Sequence, residues 1–420
     1  MILSRRALLR MACAPAPWAA MGQQNFYPVG VGVSSDPYVA TTRAVTASGA
    51  WGYFDLAGAT VVIKPNLVKQ ATPESGTVTD PEVVRALVDL TLPLGPERIW
   101  IAEGSGEGAN FDDCGYQFFS TYDPEGRVGL LDLETAPHVV TPVPNGFNYG
   151  SLYLPELLTL PRLVFISVAK LKTHLQAAAT LSVKNLFALP ESSRYIARRF
   201  PGRFAMHDRG LAMSIGDLYR AQPIHFAVID GVWGMEGPGP FSGNAVPMNT
   251  VLAGPDAVAL DLVALRLMKL DLTRVRYLHY LIRAGQGPAS IDQIEMKGDP
   301  FRPRAFVIPE LPPVVDPPLL QPAAIQYPAM SSTRIIMFLR EACRCLVEVV
   351  QLSDESPQVN VMRLVAETDL PAGIAAFQWD GRDGSGVPVP PGRYATRISA
   401  ASIARPEAAP AKVINWVTVW

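Results

Sequence analysis

Residues 26–307 alternate short, apolar, β-branched runs with segments in which apolar residues recur at helical spacing. The clearest strand candidates are residues 60–63, 99–102, 163–168 and 226–229, and a polar or glycine-rich loop follows each of them. Strands that alternate with helices usually form a sheet that the helices cover. The sequence therefore predicts an α/β domain with a mostly parallel sheet and helices on both faces.

Two helices have clear start signals. The residues from Thr79 to Glu82 match a capping box with a proline in the first turn, and apolar residues then recur at helical spacing up to residue 91. A second helix is predicted over residues 257–268, which Asp256 and Asp261 start and flank. An acidic residue near the N-terminus of a helix interacts favourably with the helix dipole. The first helix joins two strand candidates, so we expect a right-handed β-loop-α-β unit.

A proline-rich stretch divides the chain. Residues 309–328 include paired prolines, and a segment so poor in backbone donors cannot lie inside a sheet. Beyond it, alternating runs at 334–350, 358–366 and 395–400 are separated by Gly/Pro turns, which is typical of a β-sandwich. We predict a domain at 23–308, a stiff linker at 309–332 and an all-β immunoglobulin-like sandwich at 333–420.

The C-terminal motifs resemble a known repeat. They are Phe377-Gln378-Trp379-Asp380-Gly381-Arg382-Asp383 and Gly386-Val387-Pro388-Val389-Pro390-Pro391-Gly392-Arg393-Tyr394. This series is similar to the immunoglobulin-like repeat of the flagellar hook-capping protein, over about residues 333–420. The resemblance implies attachment to a cell-surface or assembly partner rather than chemistry. A calcium loop at Asp380 and Asp383 is the alternative, although no third acidic ligand follows at loop spacing.

The N-terminus has the features of an export signal. Arg5 and Arg6 precede an uncharged, weakly apolar run over residues 11–22, as in twin-arginine signals. We predict a signal peptide at 1–22, cleavage after Gly22 and a periplasmic or otherwise extracytoplasmic protein. The alternative is a basic amphipathic N-terminus that is retained. No later stretch has the ~20 unbroken apolar residues of a transmembrane segment.

Charge and cysteine content exclude several classes of protein. The 36 Lys and Arg residues balance 38 Asp and Glu residues, so nothing in the overall charge attracts nucleic acid or anionic lipid. An anion site must therefore be local. The four cysteines form no CxxC repeat, so we expect no iron–sulfur cluster and no structural zinc. Cys343 and Cys345 stand two apart in a strand-like run, which favours core packing over a disulfide.

Five blocks in the N-terminal part resemble a known family. They are Val61-Val62-Ile63-Lys64-Pro65-Asn66-Leu67-Val68, Thr79-Asp80-Pro81-Glu82, Lys170-Leu171-Lys172-Thr173-His174, Ser182-Val183-Lys184-Asn185-Leu186-Phe187, and Asp230 to Gly234 continued by Met235 to Pro240. Together they are similar to the domain of unknown function 362 over most of residues 27–300. The resemblance implies a fold and motif positions, with no settled activity. Some relatives carry ferredoxin-like cluster domains, which would imply redox work.

Basic and polar residues follow the strand candidates. The predicted substrate-binding residues are Lys64, Asn66, Ser105, Lys170, Lys172, His174 and Asn185. Ligands of open α/β proteins commonly bind where the carboxyl ends of strands meet, and several lysines there suit a phosphate or a carboxylate. The alternative is that each lysine is a solvated loop residue and that His174 is only hydrogen-bonded in its loop.

Three acidic residues also follow strand candidates. Glu103, Asp230 and Glu236 are predicted to hold a divalent cation such as Mg²⁺ or Ca²⁺, which prefers oxygen ligands. Lys184, Asp230 and Glu236 are predicted to lie nearest the chemistry. The alternative is that Asp230 caps a glycine-rich turn and that Glu236 pairs with one of the lysines.

These observations lead to three functional hypotheses. The first is an extracytoplasmic protein, enzyme or not, that binds or transforms an anionic small molecule. The second is a non-catalytic ligand-binding or surface-assembly protein. The third is a redox-associated protein, as the cluster-bearing relatives suggest. No Gly-x-Ser-x-Gly, HExxH, Walker or dinucleotide motif is present, so the corresponding enzyme classes lose support.

Overall fold

The computed structural model describes residues 26–49, 52, 54–104, 110–196, 203–327, 331–353 and 359–420. Its N-terminal region contains eleven strands within the described residues. They are β1 (Tyr27–Val33), β2 (Thr60–Lys64), β3 (Arg98–Glu103), β4 (Val128–Asp132), β5 (His138–Pro142), β6 (Ser151–Pro155), β7 (Leu163–His174), β8 (Ala178–Thr180), β9 (Phe226–Glu236), β10 (Asn244–Gly254) and β11 (Ile294–Gly298). Nine of these form one sheet, in the order β11-β1-β10-β9-β7-β2-β3-β4, with β8 paired to β7. Strands β5 and β6 form a separate antiparallel pair.

The large sheet is mixed rather than uniformly parallel. Strands β9, β7, β2, β3 and β4 run parallel to one another. Strand β10 turns back antiparallel to β9 across residues 237–243, and it pairs antiparallel with β1 on its other side. A connection this short can join only antiparallel neighbours, whereas parallel strands need a long crossover. The predicted mostly parallel arrangement therefore holds for the central strands and is interrupted by β10, beyond which β1 and β11 again pair parallel to each other.

Helices cover both faces of this sheet. They are α1 (Pro37–Ser48), α2 (Pro81–Thr91), α3 (Phe204–Asp208), α4 (Leu211–Ala221), α5 (Ala257–Met268) and α6 (Arg276–Arg283). Helices α1 and α2 pack in one core with Val61 and Ile63, and helices α4, α5 and α6 pack in the other core with Val62. Successive residues of a strand face opposite sides, so one strand supplies side chains to both cores.

Helix α2 begins one residue later than the capping box indicates. The cap is Asp80, whose carboxylate accepts a hydrogen bond from the Glu82 backbone N–H at 2.8 Å. Thr79 is not available as a cap, because its hydroxyl donates to the Val168 carbonyl and accepts from the Asn66 backbone N–H. Helix α5 has the predicted bounds, and Asp256 caps it.

A separate β-rich region follows at the C-terminus. Its strands are β12 (Leu319–Gln321), β13 (Ala324–Ile325), β14 (Thr333–Leu339), β15 (Cys343–Leu352), β16 (Val359–Leu370), β17 (Gly373–Trp379), β18 (Gly392–Ser402) and β19 (Ala411–Val419). They form a three-stranded sheet, β12-β14-β17, and a five-stranded sheet, β13-β19-β18-β15-β16. Side chains of both sheets share one apolar core, in which the rings of Trp379 and Tyr394 pack 5.9 Å apart between centroids. This core is distinct from the two cores of the large sheet.

The proline-rich stretch takes part in this region. Within 309–332, β12 pairs with β14, and β13 pairs with β19. Both are edge strands, where a proline without a backbone donor is tolerated. The side chains of Val315, Leu320 and Ile325 belong to the C-terminal core. The segment predicted as a linker therefore supplies part of the second region's packing.

The two regions also contact each other. The Trp416 indole N–H donates to the Phe147 carbonyl at 3.1 Å, and Lys412 pairs with Asp208 of α3. A small apolar cluster spans the contact. Its buried members are Met213, Tyr280, Val350, Ala395 and Ile414. The C-terminal region is thus packed against α4 and α6.

The predicted signal peptide, residues 1–22, lies outside the described residues. Among the residues that are described, no helix is both long enough and apolar enough to cross a bilayer. Cys343 and Cys345 are free and buried, as their spacing predicted.

Candidate functional site

Three predicted site residues share one face of the long central strand β7. Lys170, Lys172 and His174 are two residues apart, so their side chains emerge on the same side. All three are buried, and the ammonium groups of both lysines have no exposed surface of consequence. They are not solvated loop residues. The last residues of β7 therefore place two lysines and a histidine in the interior, at the carboxyl end of the sheet.

Lys64, at the end of β2, forms a buried ion pair with Glu103, at the end of β3. Lys64 Nζ lies 2.6 Å from Glu103 Oε1, and both side chains are buried. The carboxylate also accepts hydrogen bonds from the backbone N–H groups of Leu67 and Gly104, each at 2.8 Å. Burial lowers the pKa of Lys64, and the charge of Glu103 opposes that shift. Every oxygen of Glu103 is thus occupied by the protein itself.

Asn185 connects this pair to the neighbouring strands. Its amide nitrogen donates to the Lys64 carbonyl at 3.0 Å and to Ser167 Oγ at 3.1 Å. Its amide oxygen accepts from Asn66 Nδ2 at 3.1 Å and lies 3.4 Å from Lys64 Nζ. The Asn66 amide oxygen is buried and has no hydrogen-bond partner in the described part of the chain. The predicted binding residues Lys64, Asn66 and Asn185 are therefore brought together.

Lys170 forms a second buried ion pair, with Asp230 on the parallel neighbour β9. Lys170 and Asp230 are register partners, and Lys170 Nζ lies 2.7 Å from Asp230 Oδ2. The same oxygen accepts from the Asp80 backbone N–H at 2.9 Å, and Oδ1 accepts from the Val232 N–H at 3.1 Å. Burial and the charge of Asp230 raise the pKa of Asp80 to about 6.

The loop over residues 76–80 joins the two ion pairs into one polar network. Lys172 Nζ donates to the Thr77 carbonyl at 2.7 Å, and Thr79 bridges the loop after β2 to β7. Gly76 permits the close approach of this loop to β9. Its φ is 71°, and a Cβ at that position would lie 2.1 Å from the Gly234 carbonyl oxygen. The loop thus fixes the positions of Lys172 and of Asp80 above the strand ends.

Two lysines of the network have no matching carboxylate among the described residues. Lys172 is fully buried, and its one hydrogen bond is to the Thr77 carbonyl. Burial, Lys184 and Lys170 hold its pKa well below the usual range. Lys184 is 8% exposed and makes no hydrogen bond or ion pair within the described chain. Burial lowers the pKa of Lys184 to about 8. The centre of the network therefore has two lysines that no carboxylate pairs with among the described residues.

His174 lies beside these lysines as a neutral ring. Its Nδ1 accepts hydrogen bonds from the backbone N–H groups of Gln176 and Ala177, at 3.1 and 3.2 Å. An imidazole whose Nδ1 accepts carries its proton on Nε2. Burial and the charge of Lys184 hold the pKa of His174 well below its usual range. His174 therefore offers one Nε2–H donor.

Glu236 stands apart from this network. Its carboxylate lies 3.0 Å from Arg304 and accepts from the Val307 backbone N–H at 2.9 Å. Its partner is an arginine beyond β11, and none of the predicted lysines contacts it. Glu103, Asp230 and Glu236 thus take part in three separate interactions. The described residues contain no group of three or more His, Cys, Asp or Glu side chains that could hold a metal ion. Ser105 lies outside the residues that the structure describes.

One functional residue was missed by sequence reasoning. Asp261 flanks α5 as predicted, but its buried carboxylate accepts from the Ser182 backbone N–H at 2.8 Å, from Ser182 Oγ at 2.5 Å and from the Val183 N–H at 3.2 Å. These bonds hold the turn that presents Lys184 and Asn185. Burial raises the pKa of Asp261 to about 7. An acidic residue in the middle of a largely apolar helix was the available signal.

Two cavities lie near the network without including it. One, of about 690 Å³, is lined by Arg98, Trp100 and Asp132 beside β3 and β4. The other, of about 200 Å³, lies between the two regions, and its wall includes Gln176, His207 and Lys412. The Phe187 ring makes an edge contact with His207, at 5.3 Å between centroids, and Lys184 Nζ lies 5.1 Å from the Phe187 centroid. Phe187 therefore contacts both Lys184 and His207, a residue of the second cavity's wall.

Comparison with known proteins gives one family match. The family model described as "Domain of unknown function (DUF362)" matches residues 61–266, from β2 to α5, and this range contains every predicted site residue. A thylakoid-associated protein of Synechocystis sp. is 26% identical over 248 residues, which are 58% of this chain and 74% of that protein.

Likenesses to solved structures are remote. The alkylpurine DNA glycosylase AlkC of Pseudomonas fluorescens, bound to DNA with an abasic-site analogue, is 13% identical with a TM-score of 0.18, over 26% of this chain and 30% of that one. Dimeric latent PorU of Porphyromonas gingivalis is 18% identical with a TM-score of 0.19, over 27% of this chain and 10% of that one. The chain therefore spans less than a third of either structure, and scores this low support no conclusion.

Proposed function

We propose that the part of the chain matched by the DUF362 model binds a small anion at the carboxyl edge of its sheet, with Lys172 and Lys184 as the recognising cations. The observation that carries the proposal is the unequal pairing of the four lysines. Lys64 and Lys170 each contact a carboxylate, whereas Lys172 and Lys184 have none in the described chain. A buried cation is costly unless it is paired, so a bound anion would stabilise both.

The remaining donors suit a phosphate or carboxylate group. After its bond to Thr77, the Lys172 ammonium keeps two N–H donors, and Lys184 keeps three. His174 adds its Nε2–H at the end of the same strand face. Charge-assisted hydrogen bonds to an anion are shorter and stronger than neutral ones. This donor set supports a small ligand that carries one anionic group.

Asp230 and Glu236 fit positioning roles better than chemical ones. Asp230 neutralises Lys170 and holds the 76–80 loop, and Glu236 joins β9 to the segment at Arg304. A metal bridge between Glu103, Asp230 and Glu236 lacks geometric support, because each carboxylate already has a cation and backbone donors. Of the three residues predicted to lie nearest the chemistry, Lys184 is therefore the one that the arrangement supports best.

Ligand-dependent stability tests the proposal. Phosphate, sulfate and a dicarboxylate should each be titrated while the unfolding temperature is measured. A ligand at 100 times its Kd stabilises the folded state by about 2.7 kcal/mol. Lys184→Met and Lys172→Met should lose this gain, and Lys297→Met, at an exposed lysine paired with Glu295, should keep it. Equal anion effects on all four proteins would refute the site, and native mass spectrometry of protein from its own compartment would identify a retained ligand.

A second role is favoured by the C-terminal region. We propose that residues 333–420, with β12 and β13, form an immunoglobulin-like sandwich that attaches the protein to a surface or an assembly. Support comes from the two sheets that share the Trp379 and Tyr394 core. The Synechocystis relative is named for its thylakoid association, which is compatible with attachment. Loss of binding to isolated cell envelopes after deletion of residues 314–420 would support this role, and unchanged binding would refute it.

Export through the twin-arginine route to the periplasm, or to another extracytoplasmic site, remains part of the proposal. It rests on Arg5 and Arg6 and on the uncharged, weakly apolar run that follows them at residues 11–22. A redox role is less well supported, because the chain's four cysteines form no cluster motif.

A further inference from the structure

We propose that Lys184 is a nucleophilic amine that forms an imine with a small oxo acid, a ligand that carries both an anionic group and an aldehyde or ketone. This inference rests on the proposed anion site and adds the class of its substrate. Lys184 is nine-tenths buried and makes no hydrogen bond or ion pair within the described residues. The other three lysines of the network each donate to an oxygen atom of the protein.

The surroundings of Lys184 favour the free amine. No carboxylate contacts it within the described residues, its side chain is buried, and its charge acts on the buried Lys172 nearby. Lysines that act as nucleophiles are activated by desolvation or by a neighbouring cation. Burial supplies the first of these at Lys184. With a pKa of about 8, the amine is free in about one quarter of molecules at pH 7.5, about 200 times the fraction for an ordinary lysine.

The turn that carries Lys184 is held rigidly. Asp261 accepts three hydrogen bonds from Ser182 and Val183, and the next residue, Asn185, bonds across to Lys64 and Ser167. A nucleophile held in a fixed position loses little entropy when it reacts. The turn therefore holds Lys184 in a fixed position, as a reacting group requires.

The step balances without an oxidant or a reductant. The nitrogen lone pair of Lys184 forms the new C–N bond, the electrons of the carbonyl π bond move to oxygen, and one proton passes from this nitrogen to that oxygen to give the carbinolamine. The C–O bond then breaks as the nitrogen forms the C=N bond and gives up its second proton, so the oxygen leaves as water and an imine remains. Lys172 and the Nε2–H of His174 hold the anionic group of the ligand meanwhile.

Reductive trapping tests the inference on the full chain. The protein should be incubated with glyoxylate and borohydride at pH 7.5, digested, and each lysine peptide examined by mass spectrometry for a carboxymethyl group. Lys184 should be modified at least about tenfold faster than the exposed Lys297, allowing for the weaker nucleophilicity of a less basic amine. Glycolate, which has the anion without the carbonyl, should slow this modification, and Lys184→Met should abolish it.

The possible results separate the two proposals. Modification in order of exposure, or of Lys172 before Lys184, overturns the nucleophilic role. If glycolate raises the unfolding temperature but Lys184 is not trapped, anion binding stands and the imine chemistry is wrong. If glycolate neither stabilises the protein nor protects Lys184, and no trapping occurs, both proposals fall.

Discussion

Replacing Asp230 by Asn should show how much one unpaired buried cation lowers the free energy of unfolding. The change removes the charge that matches Lys170 but keeps the shape of the side chain. Removing one partner of a buried ion pair costs about 3–5 kcal/mol, because the other charge stays buried. Asn can still accept at one position, so one of the backbone bonds from Asp80 and Val232 survives. We expect a loss of about 4 kcal/mol in the free energy of unfolding.

This loss should leave a folded protein, since domains are usually stable by about 5–15 kcal/mol. Urea unfolding followed by far-ultraviolet circular dichroism measures it. Asp55→Asn is the matched control, because Asp55 pairs with Arg162 at the surface of the same region. Its midpoint should not move measurably, since exposed pairs contribute little.

A double variant sharpens the test. In Lys170→Met/Asp230→Asn, the unpaired charge is gone, so the double variant should be more stable than Asp230→Asn alone. Asp230→Asn should also strengthen the stabilising effect of phosphate, because Lys170 becomes a third unmatched cation. A loss below about 1 kcal/mol, or additive costs in the double variant, would show that Lys170 does not depend on Asp230.

Four further outcomes are expected. Asp261→Ala should cost about 3 kcal/mol by leaving buried donors at Ser182 unpaired, and it should abolish phosphate stabilisation; stabilisation at full size would contradict the positioning role. Phosphate affinity should fall about tenfold from pH 7 to pH 9, since Lys184 loses its proton as the pH rises through about 8; an unchanged affinity by calorimetry would exclude Lys184. A fragment of residues 314–420 should fold with an all-β circular dichroism spectrum, whereas one of residues 333–420 should be less stable for lack of β12 and β13. Arg5→Lys/Arg6→Lys should hold the precursor in the cytoplasm, and normal export by cell fractionation would rule out the twin-arginine route.

Local patterns in the sequence predicted the elements that carry the site. Apolar periodicity placed the strands that became β2, β3, β7 and β9, and helix α5 has its predicted bounds. Because Lys64, Lys170 and Asp230 follow these strands in the sequence, we predicted that they would meet at one edge of the sheet. Such patterns suffice because the period of a strand or helix depends on neighbouring residues alone.

Partner choice was decided by the tertiary structure. Lys64 pairs with Glu103, which is 39 residues away in the sequence. Asp230 accepts a hydrogen bond from the backbone N–H of Asp80, which is 150 residues away. No periodicity links residues so far apart. The sequence showed four similar lysines, and only the fold distinguishes the two that are matched from Lys172 and Lys184.

The same reason explains the remaining differences. Glu236 pairs with Arg304 rather than with a lysine, because β9 continues past the polar network before it turns into β10. The proline-rich segment becomes two edge strands, because the C-terminal sheets offer free edges that a local composition cannot reveal. The sequence by itself determined the elements and the kinds of residue at the strand ends. Charge matching, and therefore the chemistry proposed for Lys184, depends on distances that only the folded chain sets.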